Sequence, residues 1–380
     1  GVATQTFSVT LLDDDDVEGD ETVHLTLSDP TGGAVLGATA TAILTIKDDE
    51  GGPGTYTDSD GDIYTVKLSG PGTVSIRLDD PDDDGRGPIE SILLTGTTAK
   101  SSLSVTVKKA VTGDGKVPIG QITGDGDLKS LSAAKSDLTG AGLDIAGWVG
   151  QVTFSDVKND AGISTEIRLG GNPAQSTKMT FGDVRDCEWI ETGATLGSLA
   201  ARSIRGTSSL LAPAIGTLST TAGPLEIDLL QVDGAVKSIS TKGGGASGTW
   251  TAASFGTIAV SGGDFAVDLQ ATAAAATLGK TLAVGKLTVS TGGASGTWTA
   301  ASFGTIGISG GDFAVDLQAA GVVNSISVKG GEASGEWTAD RFGTITVSGG
   351  DFAVDLQATA TAATLGKTLA VGKLTVSTGG

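Results

Sequence analysis

The last third of the chain nearly repeats itself, at a short and almost fixed period. The first inward residue of each unit is Leu199, Leu218, Ile239, Ile258, Leu287, Ile306, Ile326, Ile345 and Leu374, at steps of 19, 21, 19, 29, 19, 20, 19 and 29 residues. Both long steps carry the same extra segment, Ala276-Thr277-Leu278-Gly279-Lys280 and Ala363-Thr364-Leu365-Gly366-Lys367. A period of about 20 with insertions at one place implies stacked coils, the insertions bulging from a corner.

Residues 256–270 show one unit. Ile258 and Val260 point one way, and Phe265, Val267 and Leu269 do likewise after the Gly262-Gly263 turn. Thr257, Ala259, Asp264, Asp268 and Gln270 face out. The period is 2 throughout, which gives two strands per coil, with room for a short corner strand, and requires no helix. Like strands of successive coils would lie about 4.8 Å apart, paired in parallel. The expected fold is all-β, a parallel β-helix, and the crossover preference favours right-handed winding. Nine residues beyond Val260 lies Leu269; nine beyond Val289 lies Trp298. Trp298, Gly296 and Ala294 therefore take the slots of Leu269, Val267 and Phe265, so large and small residues alternate between coils and fill a narrow interior. Trp250 and Trp337 repeat the arrangement; a sugar-stacking stripe is the alternative reading of these rings.

Trp250 to Trp337, Asp264 to Asp351 and Leu287 to Leu374 are each 87 residues apart, which implies duplication of four-coil blocks. Leu131 and Val152 fit the register, and the 47 residues from Val152 to Leu199 hold two coils with an insertion near Asn172-Pro173. About twelve coils would make a stiff rod of roughly 55–60 Å. Cys187, beside Trp189, reads as a buried apolar filler.

Net charge is -20, and residues 1–100 hold 20 Asp/Glu against 5 Lys/Arg, so 15 of the 20 excess negative charges sit there (20 - 5 = 15). Such a field repels nucleic acid and anionic lipid and attracts cations. One cysteine excludes an intramolecular disulfide scaffold. No run of about 18 apolar residues exists to span a membrane, and no signal peptide is visible at residue 1. Neither end reads as a natural terminus, and a piece of a longer polypeptide is expected.

Residues 1–50 contain three alternating strand-like runs, Thr6–Leu12, Thr22–Ser28 and Thr39–Ile46. Their joints are acidic: residues 13–21 at one, Asp48-Asp49-Glu50 at the other. Carboxylates crowded at strand ends repel one another unless a cation sits among them, and Ca²⁺ suits such a cluster. The string Val9…Asp13-Asp14-x-x-Val17-Glu18-Gly19-Asp20-Glu21-Thr22-Val23…Leu27-Ser28…Pro30-Thr31-Gly32-Gly33…Leu36-Gly37…Ile46-x-Asp48-Asp49 resembles the C-terminal half of a Calx-beta domain, a Ca²⁺-binding β-sandwich. The resemblance implies Ca²⁺ ligands at Asp13, Asp14, Glu18, Glu21, Asp48 and Asp49, with Asp16 offering its carbonyl and Glu50 standing where the family has a third Asp. It covers about 45 residues and lacks the family's first strands, so the site is incomplete and the remaining strands must come from upstream sequence or another chain. His24 falls on the solvent side of its strand.

Gly51-Gly52-Pro53-Gly54 is a linker, and residues 51–115 read as a β-rich cap with the first coils. Asp58, Asp60 and Asp62 have the spacing that opens an EF-hand loop, but Ser69 stands where that loop needs its bidentate Glu, so a lone Ca²⁺ turn or a plain acidic turn remains. Segments such as Ile92-Leu93-Leu94-Thr95-Gly96-Thr97-Thr98 and Ser101–Lys109 are similar in style to large bacterial surface proteins, notably of planctomycetes.

β-Helix lyases and hydrolases need clustered Asp/Glu with Lys or Arg on one outer face. Here Asp264/Asp268, Asp312/Asp316 and Asp351/Asp355 recur in every second coil, a surface pattern that argues against a unique acid/base pair. Outward threonines form no regular array, which argues against ice binding. The expected protein is an extracellular bacterial structural or adhesive element without catalysis. It would comprise a Ca²⁺-binding half-sandwich (1–50), a cap (51–115) and a β-helix stalk (116–380). Expected partners are cell-surface or matrix components, glycans among them, or further copies joined through open strand edges. A carbohydrate-binding or carbohydrate-cleaving β-helix is the alternative.

Overall fold

The computed structural model describes residues 6–9, 21–46, 50–81, 84–159, 162–279, 281–361 and 369–377. Strands make up 67% of it and helix about 1%, so the fold is all-β. The parallel solenoid has about 12 turns of roughly 20 residues.

The winding starts at Ile89–Thr95 and Ser102–Lys108, two sides of the first coil. These pair in parallel with Val117–Gly124 and Ser130–Ala133. Their other edges are covered by antiparallel strands, Thr73–Leu78 on the former and Ile63–Ser69 on the latter, with Gly54–Thr57 outside. Antiparallel cover blunts an edge that would otherwise recruit more strands. Tyr64, fully buried, ties this cap inward through its hydroxyl, which donates to the Gly87 carbonyl at 2.9 Å.

One inward column then runs unbroken: Leu103, Leu131, Val152, Met179, Leu199, Leu218, Ile239, Ile258, Leu287, Ile306, Ile326, Ile345 and Leu374. Met179 supplies the coil between Val152 and Leu199. Most of the extra length there lies between Val157–Lys158 and Thr165–Leu169, not at Asn172-Pro173. The proline belongs to a tight turn, closed by Gln175 N–H donating to the Asn172 carbonyl at 3.0 Å. From Leu199 onward each coil has two long sides. Residues 236–242, 255–261, 284–290, 303–309, 323–329, 342–348 and 371–377 form the first face; residues 246–252, 265–271, 294–300, 313–319, 333–339 and 352–358 form the second.

The structure corrects two local expectations. A helical turn, Ala275–Leu278, occupies the first insertion. That segment leaves the ladder, so no strand partner opposes the high helix propensity of alanine, and Gly279 at φ 62° ends the turn. Among the described residues of the N-terminal segment only Glu21–Thr26 and Thr41–Ile46 form a ladder, antiparallel, with Val23 opposite Leu44. Thr6–Val9 carry no strand pairing; residues 10–12 lie outside the described residues. Leu27 and Ile43 remain exposed, because two strands alone cannot bury both faces.

The core follows the alternation read from the sequence. Ala246, Gly248 and Trp250 sit beneath Phe265, Val267 and Leu269; Ala294, Gly296 and Trp298 beneath Phe313, Val315 and Leu317. Trp250, Trp298 and Trp337 are fully buried. The rings interleave along the axis as Trp250, Phe265, Trp298, Phe313, Trp337 and Phe352, with centroids 5.2–5.7 Å apart. A buried indole needs an acceptor. Between 265–271 and 294–300 the ladder skips its middle pairs, and the Trp298 Nε1–H donates to the Val267 carbonyl at 3.0 Å. Trp337 does the same to Val315 at 3.0 Å. Gly296 and Gly335 make the skip possible: φ is +112° and +109°, and a Cβ would stand 2.5 and 2.3 Å from those same carbonyl oxygens. Trp250 lies above a strand with one extra residue, Leu225–Val232, and its Nε1 has no partner among the described residues.

Trp298→Phe and Trp337→Phe should therefore cost about 1–3 kcal/mol more than Trp250→Phe, because only the first two strand a buried carbonyl acceptor. Chemical-denaturation midpoints of the three variants read the difference; equal losses would mean that the indole bonds contribute nothing.

Candidate metal centre and surface carboxylates

The Calx-beta-like ligand candidates Asp13, Asp14, Asp16, Glu18, Asp48 and Asp49 lie outside the described residues. Glu21 opens the hairpin, exposed and opposite Ile46. Glu50 belongs to the short strand Glu50–Gly51, which pairs with Arg77 and Ile76 of the cap. His24 is exposed opposite Ile43, on the solvent side as expected.

Asp58, Asp60 and Asp62 do converge, each offering a carboxylate oxygen within 4.8 Å of the others. The local cause is a turn that bonds to itself: the Asp62 and Asp60 N–H groups donate to Asp58 Oδ1 at 2.9 and 3.2 Å. The turn then grips the loop leading into Val117–Gly124. Asp62, fully buried, accepts the Ala110 and Gly115 N–H groups at 2.5 Å each. Asp60 Oδ2 accepts the Asp114 N–H at 2.9 Å, and the Thr112 hydroxyl donates to the Asp60 carbonyl at 3.0 Å. Burial, then the hydrogen bond and charge of Asp60, push the Asp58 carboxyl up to about 6, against the pull of its two backbone donors. Asp60 is held below the usual carboxylate range, chiefly by the hydrogen bond from Asp58. Below about pH 6 the pair thus shares a proton on Asp58. The set fits a hard cation only in part: Asp62 is committed to backbone donors, and a cation would have to replace the Asp58 proton.

The aspartate pairs on the second face have a definite task. Asp268 Oδ1 accepts the Thr297 N–H at 2.8 Å and Asp316 Oδ1 the Glu336 N–H at 3.0 Å, where the ladder skips. At the turn entering this face, Asp264 Oδ1 accepts the Gly293 N–H at 2.8 Å and Asp312 Oδ1 the Glu332 N–H at 2.9 Å. Each carboxylate supplies a backbone acceptor to the next coil. Asp351 and Asp355 occupy the same slots one repeat on.

One cluster escaped the sequence reading. Lys116 Nζ meets Asp137 at 2.8 Å and Asp156 at 3.1 Å, and Lys158 Nζ meets Asp137 at 3.5 Å. Asp156 Oδ1 accepts the Asp183 N–H at 2.7 Å. Asp183 pairs with Arg202 and, at 3.0 Å, with Arg185, and accepts the Ser203 hydroxyl at 2.8 Å. The signal was present: Asp137-Leu138, Asp156-Val157 and Asp183-Val184 share one slot in successive coils. Burial opposes the charge of Asp137, but Lys116 outweighs it and holds the carboxyl low; Arg202 does the same for Asp183. Both stay ionised at neutral pH, paired with the cations that stitch the coils. Cys187 is buried, and burial pushes its thiol up to about 12, as suits a filler. Trp148 and Trp189 are half-buried and stack on no other ring among the described residues.

Comparison of the chain with protein-family models, with curated proteins and with solved structures finds no match. The solenoid therefore rests on its own geometry, and the Calx-beta and bacterial surface-protein resemblances rest on the motifs alone.

Between about pH 3.8 and 6 the folded chain keeps the Asp58 proton that the unfolded chain has released, so stability falls as pH rises through that window. Asp58→Asn, whose amide still accepts the two backbone bonds, should remove this slope. In chelator it should melt above wild type beyond pH 6 and level with it below pH 3.8. A parallel offset at every pH would contradict the shared proton.

Proposed function

We propose that this chain is an extracellular bacterial structural or adhesive element without catalysis, a stiff β-helix stalk carrying a Ca²⁺-binding sandwich module. The observation that carries the reading is the column from Leu103 to Leu374, in parallel register from coil to coil, over a core that is buried from Leu103 to Val347. Main-chain bonds along such a stack resist bending and stretching, because every coil touches only its neighbours and all of them must yield in series. The surface carboxylates of the second face are engaged as backbone acceptors, which suits a scaffold better than a reaction centre. The stacked tryptophans lie in the core, so they favour a stalk over a sugar platform. No described helix is long and apolar enough to cross a membrane. Partners on this reading are cell-surface or matrix components, glycans among them. Ca²⁺ held by the acidic joints would neutralise carboxylates crowded at the junction and stiffen it.

Small-angle scattering of the chain should give a rod of constant cross-section through residues 89–377; a compact globular profile would remove the stalk. Thermal melting with millimolar Ca²⁺ should exceed melting in chelator, more at pH 7 than at pH 5, where the Asp58 proton competes. An unchanged melting temperature would eliminate the metal-stiffened junction while leaving the rod.

A further inference from the structure

From residue 225 onward the solenoid sorts its charges by face. The described lysines here, Lys237, Lys242, Lys286, Lys329 and Lys373, all stand exposed on the first face, which carries no Asp or Glu. Glu226, Asp228, the aspartate pairs, Glu332 and Glu336 all belong to the second face or the turn entering it, which carries no Lys or Arg. Among the described residues only Asp233 and the adjacent Asp340 and Arg341 fall at the third corner. None of the five lysines forms an ion pair with a described residue.

The two patterns also share a period. First-face lysines occur in the coils of Ile239, Leu287, Ile326 and Leu374, and the first face of the coils between them has none: Lys286 is followed upward by Thr305, Ser325, Thr344 and then Lys373, while Lys242, Ser261, Ser290, Ser309 and Lys329 form the flanking column. The aspartate pairs follow Ile258, Ile306 and Ile345. The aspartate pairs thus recur every second coil, about 9–10 Å apart. The first-face lysines lie in the coils between and, Lys237 aside, alternate between two columns that each repeat every fourth coil; Glu332 and Glu336 add carboxylates in the coil of Ile326. Between its lysines the first face carries only Gly, Ala, Ser, Thr and Asn, so nothing long keeps a neighbouring rod away.

We propose that the first face docks onto the second face of another copy of this chain, side by side with axes parallel and shifted by one coil. That shift sets each lysine row level with an aspartate row. Asp264, Asp268, Asp312 and Asp316 each give only Oδ1 to a backbone bond, which leaves Oδ2 for the partner's lysine. A second copy is favoured over an unrelated polyion because both halves of the matched period are written in this one sequence. The two surfaces differ, so the contact is heterologous; it repeats from rod to rod without closing and builds an open lateral array. The inference goes beyond the stalk reading and depends on neither Ca²⁺ nor an adhesive partner.

Sedimentation velocity and electron microscopy of the full chain, in about 20 mM and about 500 mM salt, test it, since exposed pairs are screened at the higher strength. Wild type should assemble laterally with rising concentration at low salt and disperse at high salt. The triple variant Lys286→Glu/Lys329→Glu/Lys373→Glu should lose assembly while keeping its melting temperature, because those side chains are exposed and form no ion pair with a described residue of their own chain; the triple Lys→Arg variant should retain it. A monomeric wild type at low salt, equal assembly by the triple Glu variant, or end-to-end filaments that ignore salt would each overturn the proposal. None of these outcomes would disturb the rod itself.

Discussion

The spacing of the parallel ladder governs this molecule. Strands about 4.8 Å apart stack every side chain directly on its counterpart one coil away. A narrow interior fills to close packing when large and small side chains alternate in one slot from coil to coil. Trp298 therefore lies between Leu269 and Leu317, while Ala294 lies between Phe265 and Phe313. Seating the indole loosens the ladder beside it, and three features answer the loosening together. The indole N–H takes the freed carbonyl, a glycine at positive φ lets the chains approach, and an aspartate from the coil below takes the freed backbone N–H. Hydrophobic size, backbone freedom and surface charge are in this way parts of one solution.

The winding was legible because its signals are local or periodic. Period-2 alternation, Gly-Gly turns and the nine-residue offset from Val289 to Trp298 fix the slots without any long-range knowledge. What stayed hidden depended on chain crossing between coils. Met179 was missed because six-odd extra residues near 159–164 break the rhythm and Asn172-Pro173 looks like the break. The Lys116 cluster joins residues 21 and 40 positions apart, so no window of sequence displays it. The aspartate pairs were read as solvated decoration, because alternation tells which side a residue takes but not that its oxygen reaches the next coil's backbone. The helical turn at Ala275–Leu278 escaped because strand logic stops where an insertion leaves the ladder.

The acidic start of the chain obeys different physics. At Asp58–Asp62 three carboxylates are drawn together by backbone donors from two loops, and below about pH 6 the surplus charge is relieved by a proton on Asp58. A proton and a divalent cation are alternative answers to the same repulsion. Sequence spacing alone names the three residues; only the loop at 110–115 reveals how many of their oxygens are already engaged.

The bulged junction has a consequence for how such a chain can change length. A Phe-Ala-Val-Asp-Leu-Gln-Ala strand and an Ala-Ser-Gly-x-Trp-Thr-Ala strand are each fitted to the other and not to a twin. Gaining or losing a single coil would set Trp against Trp or leave an indole facing a strand without its bend. Recombination can then lengthen or shorten the tract only by even numbers, and the 87-residue block from Leu287 to Leu374, four coils long, obeys that parity.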